Sequence, residues 1–111
     1  MKNPKFEIFT GSDSLFYFHL KARNGEIILK SEGYTQKHNA SKGIDSVKEN
    51  APHDERYKRV SADNGDPYFN LTAANHEIIG TSEMYSSKSA MEAGIAAVKL
   101  DAPRAPVDDL T

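Results

Sequence analysis

A carboxylate, a phenol and an amine recur at one spacing in this chain: Glu32, Tyr34 and Lys37, then Glu83, Tyr85 and Lys88. Placed where a strand gives way to a helix, such a set could orient an anionic or polar ligand, and two copies would make a paired site. Packing explains the same residues more simply. Each tyrosine stands just before a helix start, where a bulky residue clamps the entry, and the charged neighbours are solvated or paired. A second set lies on one strand face: Tyr17, His19 and Lys21, with Ile28 across a hairpin, and Tyr68 and Ile79 in the matching places. Aromatic and apolar side chains in a polar field of Lys30, Asn70 and Thr72 suit a protein partner, and the aromatics also suit nucleobase stacking.

Other chemistries find no footing. His19, His38, His53 and His76 are scattered, and no pair stands at i, i+4 around a glutamate as in zinc peptidases. With no cysteine there is no thiolate metal site, disulfide or sulfur nucleophile. Nucleophilic-serine motifs and glycine-rich phosphate cradles are absent from the sequence, and Asp63-Asn64-Gly65-Asp66 lacks the ligand pattern of a calcium loop and reads as a hairpin. No cofactor or metal is expected. The reading favours a non-catalytic binding module over an enzyme built on the Glu-Tyr-Lys sets.

An internal repeat positions both sets. Shifted by 51 places, residues 17–52 match residues 68–103 at 18 of 36 positions, among them Gly43/Gly94, Ile44/Ile95, Val47/Val98 and Pro52/Pro103. Each unit reads as three strands and a helix. Residues 5–10 are aromatic and β-branched and close on the turn formers Gly11-Ser12-Asp13-Ser14; residues 16–23 alternate apolar with polar, as a half-buried strand does. Asn24-Gly25 reads as a two-residue turn, matched by Asn75-His76. That register places Ala22 opposite Ile27 and Leu20 opposite Leu29, so it turns Ile27 inward and Ile28 and Ile79 outward. Thr35 and Ser86 read as helix N-caps, and Ala40, Gly43, Ile44 and Val47 form an apolar stripe ended by Pro52. Mid-helix glycine costs roughly 1 kcal/mol against alanine, so Gly43 and Gly94 imply close approach of helix and sheet.

The expected fold is α+β: two tandem β-β-β-α units, 1–53 and 54–103, sharing one six-stranded antiparallel sheet with both helices on one face. The tail, 104–111, which has one proline besides the Pro103 before it and two consecutive aspartates, reads as loose. A single unit of this size buries too little to stand alone.

The 111 residues are 38% hydrophobic and 27% charged, a globular composition. The net charge of −2 disfavours nucleic acid as partner. No apolar run resembles a leader or a membrane span, which points to a cytoplasmic monomer with no membrane attachment.

The segments NGEIILKSEGYTQK and GIDSVKENA, with their second copies SEMYSSK and GIAAVKLDA, resemble the YegP-like family of small bacterial proteins over about residues 5–103. The resemblance implies a continuous sheet with C-terminal helices exchanged between units, so that the tandem is a covalent pseudo-dimer. It brings no activity that transfers to named residues. The chain departs from the pattern at His76, which replaces the turn glycine, and at Met84, which stands where Gly33 does.

Overall fold

The computed structural model describes residues 3–111, so the first two positions of the expected first unit lie outside it. Strands β1 (Lys5–Thr10), β2 (Phe16–Lys21) and β3 (Ile27–Lys30) precede helix α1 (Lys37–Asn50). Strands β4 (Tyr57–Ser61), β5 (Pro67–Thr72) and β6 (Ile78–Thr81) precede α2 (Lys88–Asp101), and a seventh strand, β7 (Val107–Asp109), follows. The sheet order is β4-β5-β6-β3-β2-β1-β7.

The seventh strand corrects two expectations. The tail is not loose: β7 pairs in parallel with β1, so the sheet is seven-stranded and mixed rather than six-stranded and antiparallel. Lys5 and Lys37 form ion pairs with its Asp108 at 3.2 Å and Asp109 at 3.0 Å. The backbone ladder fastens it, with the Phe6 N–H donating to the Pro106 carbonyl and the Leu110 N–H to the Ile8 carbonyl, both at 2.8 Å, and the aspartates that made the tail look solvated add exposed ion pairs.

The four hairpins share one three-residue design, which at Asn24-Gly25 and Asn75-His76 is longer by a residue than the turn expected. At the first of them in each unit, Ser14 and Gly65 take left-handed φ of 67° and 90°; at the second, Gly25 and His76 take 85° and 72°. In the β2–β3 loop the Gly25 N–H donates to the Ala22 carbonyl (2.9 Å), and the Ala22 N–H donates to Glu26 (2.8 Å). The side-chain oxygens of Asp13, Asn24, Asn64 and Asn75 each accept the backbone N–H two residues on, the usual reason for Asp or Asn at such a corner.

This three-residue loop changes the register. Leu20 still faces Leu29, but Lys21 now faces Ile27, and the ladder skips Ile28 at an irregularity beside Leu20. Ile28 is therefore buried, 8% exposed. In the second unit Thr72 faces Ile78 and the ladder skips Ile79, which packs partly against the core, while Ile78 is 53% exposed. The outward placement expected of Ile28 and Ile79 belongs instead to Ile27 and Ile78.

The two units meet at β3 and β6, where Lys30 pairs with Thr81. These are equivalent positions of the repeat, as an internal twofold axis through the seam requires. The seam is also where the symmetry is broken: Leu29 corresponds to Gly80, and a Cβ on Gly80 would sit 2.7 Å from Leu29 Cγ. Both helices cover one face over a single core containing Phe6, Phe18, Leu20, Ile44, Phe69, Leu71 and Ile95. Each helix crosses the seam, α1 packing on β1 and β2 and also on β5 and β6, and α2 on β5 and β3.

The helices begin one residue later than expected. The N-cap positions are Gln36, whose side chain makes no capping bond, and Ser87, whose Oγ accepts the Ala90 N–H at 3.1 Å.

Candidate functional site

Pairing of β1 with β2 sets Glu7 opposite His19, Phe9 opposite Tyr17 and Lys5 opposite Lys21 on the face away from the helices. Phe9 stacks on Tyr17 with ring centres 5.8 Å apart and tilts against His19 at 4.8 Å. Ile27, opposite Lys21, and Lys30, opposite His19, extend this surface across β3. Together Phe9, Tyr17, His19, Ile27 and Lys30 line an open groove of about 450 Å³.

A buried charge network flanks the groove. Glu7 is 6% exposed, accepts from His19 Nε2 at 2.7 Å, and pairs with Lys21 at 3.0 Å and Lys5 at 3.4 Å. The His19 hydrogen bond, reinforced by the lysines, holds the Glu7 carboxyl down at about 2, against the desolvation that would raise it. Lys30 pairs with Glu83 at 2.9 Å, and the Tyr17 hydroxyl donates to Asp13. The cations around the groove are thus already matched by carboxylates.

Of the residues expected at this face, Tyr17, His19 and Lys21 come together. Tyr68 lies in the other half, opposite Val60, and Ile28 and Ile79 are turned to the core side by the register shift. Thr72, expected in the polar field, is buried, its hydroxyl donating to the Arg56 carbonyl at 2.9 Å. Sequence reasoning misses Glu7, Phe9 and Ile27. Alternation along Lys5–Thr10 is signal enough for the first two, since Glu7 and Phe9 must share a face.

The Glu-Tyr-Lys sets do not converge. Tyr34 lies against Phe18 (centroids 6.4 Å apart) and Tyr85 against Phe69 (6.3 Å), with their hydroxyls lodged under Gly43 and Gly94. Burial first, and Glu32 or Glu83 second, raises both phenols above their ordinary range, away from acid–base work at neutral pH. Lys37 reaches the tail at Asp109, and Glu83 reaches Lys30. The tyrosines are spacers between sheet and helix. Among the described residues, no helix is long and apolar enough to cross a membrane.

Comparison with known proteins agrees with the repeat. The family model described as "Domain of unknown function (DUF1508)" matches twice, over residues 12–57 and 62–109. The chain is 53% identical over 106 residues to UPF0339 protein YegP of Escherichia coli K12, covering 96% of each chain. It is 51% identical over 104 residues to a UPF0339 protein of Bordetella pertussis, covering 94% of each. The solution NMR structure of yegP from E. coli matches with a TM-score of 0.93 at 50% identity, over 100% of this chain and 96% of that one. That of a UPF0339 protein from Shewanella oneidensis matches with a TM-score of 0.92 at 49% identity, over 98% and 92%. The family suggested by the Ser-Glu-x-Tyr and Gly-Ile-x-x-Val-Lys motifs is the one found.

Proposed function

The chain belongs to the DUF1508 family, a domain of unknown function carried here in two copies, and on that premise we propose that it is a non-catalytic binding module. The groove around Phe9, Tyr17, His19 and Ile27 is the seat of an apolar or aromatic side chain from a protein partner. One observation carries this reading: a stacked aromatic pair and an isoleucine line a 450 Å³ recess on the uncovered face of a sheet. Such a rigid apolar floor with a polar rim matches the make-up of protein-binding surfaces. The carboxylates already paired with Lys5, Lys21 and Lys30 argue against phosphate as the ligand, because counterion release needs unpaired cations.

The test is affinity capture on the full chain, followed by mapping of the captured protein by NMR. Binding should shift Phe9, Tyr17, His19 and Ile27, and Tyr17→Ser should abolish recovery while unfolding stays cooperative, with Tyr68→Ser, outside the groove, leaving recovery unchanged. Undiminished recovery, or shifts lying elsewhere, would reject the reading. Retention of nucleic acid with a steep salt dependence would reject it in favour of the stacking alternative.

A further inference from the structure

The tail strand marks a vacancy of the same shape on the opposite edge of the sheet. In each copy the family match ends in the strand that follows the helix, at Tyr57 in β4 and at Asp109 in β7. The internal twofold that relates β1 to β4 therefore sends the strand following α2 toward the place of β1. That place is filled, so β7 lies just outside it, parallel to β1. The same operation maps β7 to a position outside β4, where no described strand lies.

The β4 edge has the groups needed to hold a strand there. Against β1, the Leu110 N–H donates to the Ile8 carbonyl at 2.8 Å. The residue equivalent to Ile8 is Arg59, opposite Phe69. Phe69 directs its own carbonyl and N–H toward Ser82, so the Arg59 carbonyl and N–H point away, to the open edge. The Tyr57 N–H is taken by the Asp54 carbonyl, which fixes Arg59 as the first docking position. Beside it is a groove of about 350 Å³ lined by Arg59, Val60, Pro67, Lys88, Met91 and Glu92. At the equivalent place in the first unit, Asp109 meets Lys37 at 3.0 Å.

Charge selects the occupant. Lys88 is the equivalent of Lys37, the lysine that grips Asp109. Among the described residues, neither Lys88 nor the β4 residue Lys58 has an ion-pair partner. Arg59 is held in position by Glu92 at 2.6 Å and Asp54 at 3.0 Å.

We propose that the open edge of β4 receives an extended acidic segment of a partner protein, which joins the sheet as a strand parallel to β4 in the way residues 107–111 join β1. Strand addition of this kind draws affinity from the backbone and specificity from side-chain charge. A second copy's tail is the weaker occupant, because its own chain presents it to its own β1 at high effective concentration and it is already paired there. The inference is independent of the groove at Phe9 and Tyr17.

The probe is a synthetic peptide of sequence APVDDLT, residues 105–111, titrated into the full chain and followed by NMR. The expected result is shifts at the Arg59 and Ser61 amides and at Lys88, with Phe6 and Ile8 unmoved. Lys88→Glu, an exposed substitution, should weaken binding about tenfold, and Lys58→Glu with Lys88→Glu should remove it. No shift at millimolar peptide, or shifts confined to Phe6 and Ile8 as the peptide displaces β7, would overturn the proposal. So would concentration-dependent self-association of the full chain that disappears when 107–111 are deleted, since the edge would then belong to a second copy.

Discussion

Glu7 is a carboxylate with almost no access to water, bonded to His19 and bracketed by two lysines on the face where recognition is proposed. Its acidity is pulled from an ordinary 4.5 to about 2, first by the His19 hydrogen bond and then by Lys21 and Lys5. A carboxyl whose folded value is depressed stabilises the fold fully above the unfolded value. That stability is lost as pH falls through the folded one. The window is therefore about pH 4.5 down to about 2. Glu7→Gln should lower stability near neutrality by about 1.5–3 kcal/mol, the range for a hydrogen bond to a charged group. It should also flatten the acid dependence across that window, read from urea midpoints at stepped pH. An unchanged acid slope would show that Glu7 does not carry it. Sequence makes Tyr17, His19 and Lys21 visible because alternation alone puts them on one face. The same alternation puts Glu7 on a face with Phe9 but does not show its burial, because a lone acid in an aromatic strand looks solvated until its cross-strand partners are known.

At the scale of elements, the helix glycines show the close approach in two forms. Gly43 and Gly94 imply close approach of helix to sheet; at Gly43 the strand residue Phe18 and the linker tyrosine Tyr34 share the missing Cβ space, whereas at Gly94 the linker tyrosine Tyr85 takes it alone. A Cβ at position 94 would meet the Tyr85 hydroxyl and lie 2.7 Å from its Cζ; at position 43 it would lie 2.8 Å from both the Tyr34 hydroxyl and Phe18. Gly94→Ala would gain roughly 1 kcal/mol from helix propensity alone. Overpacking should reverse that sign, for a net loss of about 1–2 kcal/mol. In a Tyr85→Phe background the loss should shrink, which a double-mutant cycle in urea reads directly; a net gain in the wild-type background would contradict the packing account. Strand and helix locations are legible from apolar periodicity. The loop length is not, because Asn-Gly is compatible with both the two-residue turn and the longer one found. That one extra residue decides which isoleucine faces out. β7 is illegible for a related reason: its pairing partner, β1, is far away in sequence.

For the whole molecule, duplication explains both the symmetry and its departures. Lys30 and Thr81 pair as twofold mates, yet Leu29 has glycine as its mate, a choice open only to a covalent tandem whose copies can diverge. In a symmetric pair of first units Leu29 would meet another Leu29 where Gly80 now leaves room. The repeat and the shared core are readable because half the aligned positions are identical, whereas the broken seam needs the register. Neither half has an interior of its own, since α1 is buried partly by β5 and β6 and α2 partly by β3. The direct measurement is urea unfolding of a fragment comprising residues 1–53, followed by circular dichroism in dilute solution with its mass set by sedimentation. The fragment should be a monomer with no cooperative transition; a monomeric fragment that melts cooperatively would show that one half builds an interior alone.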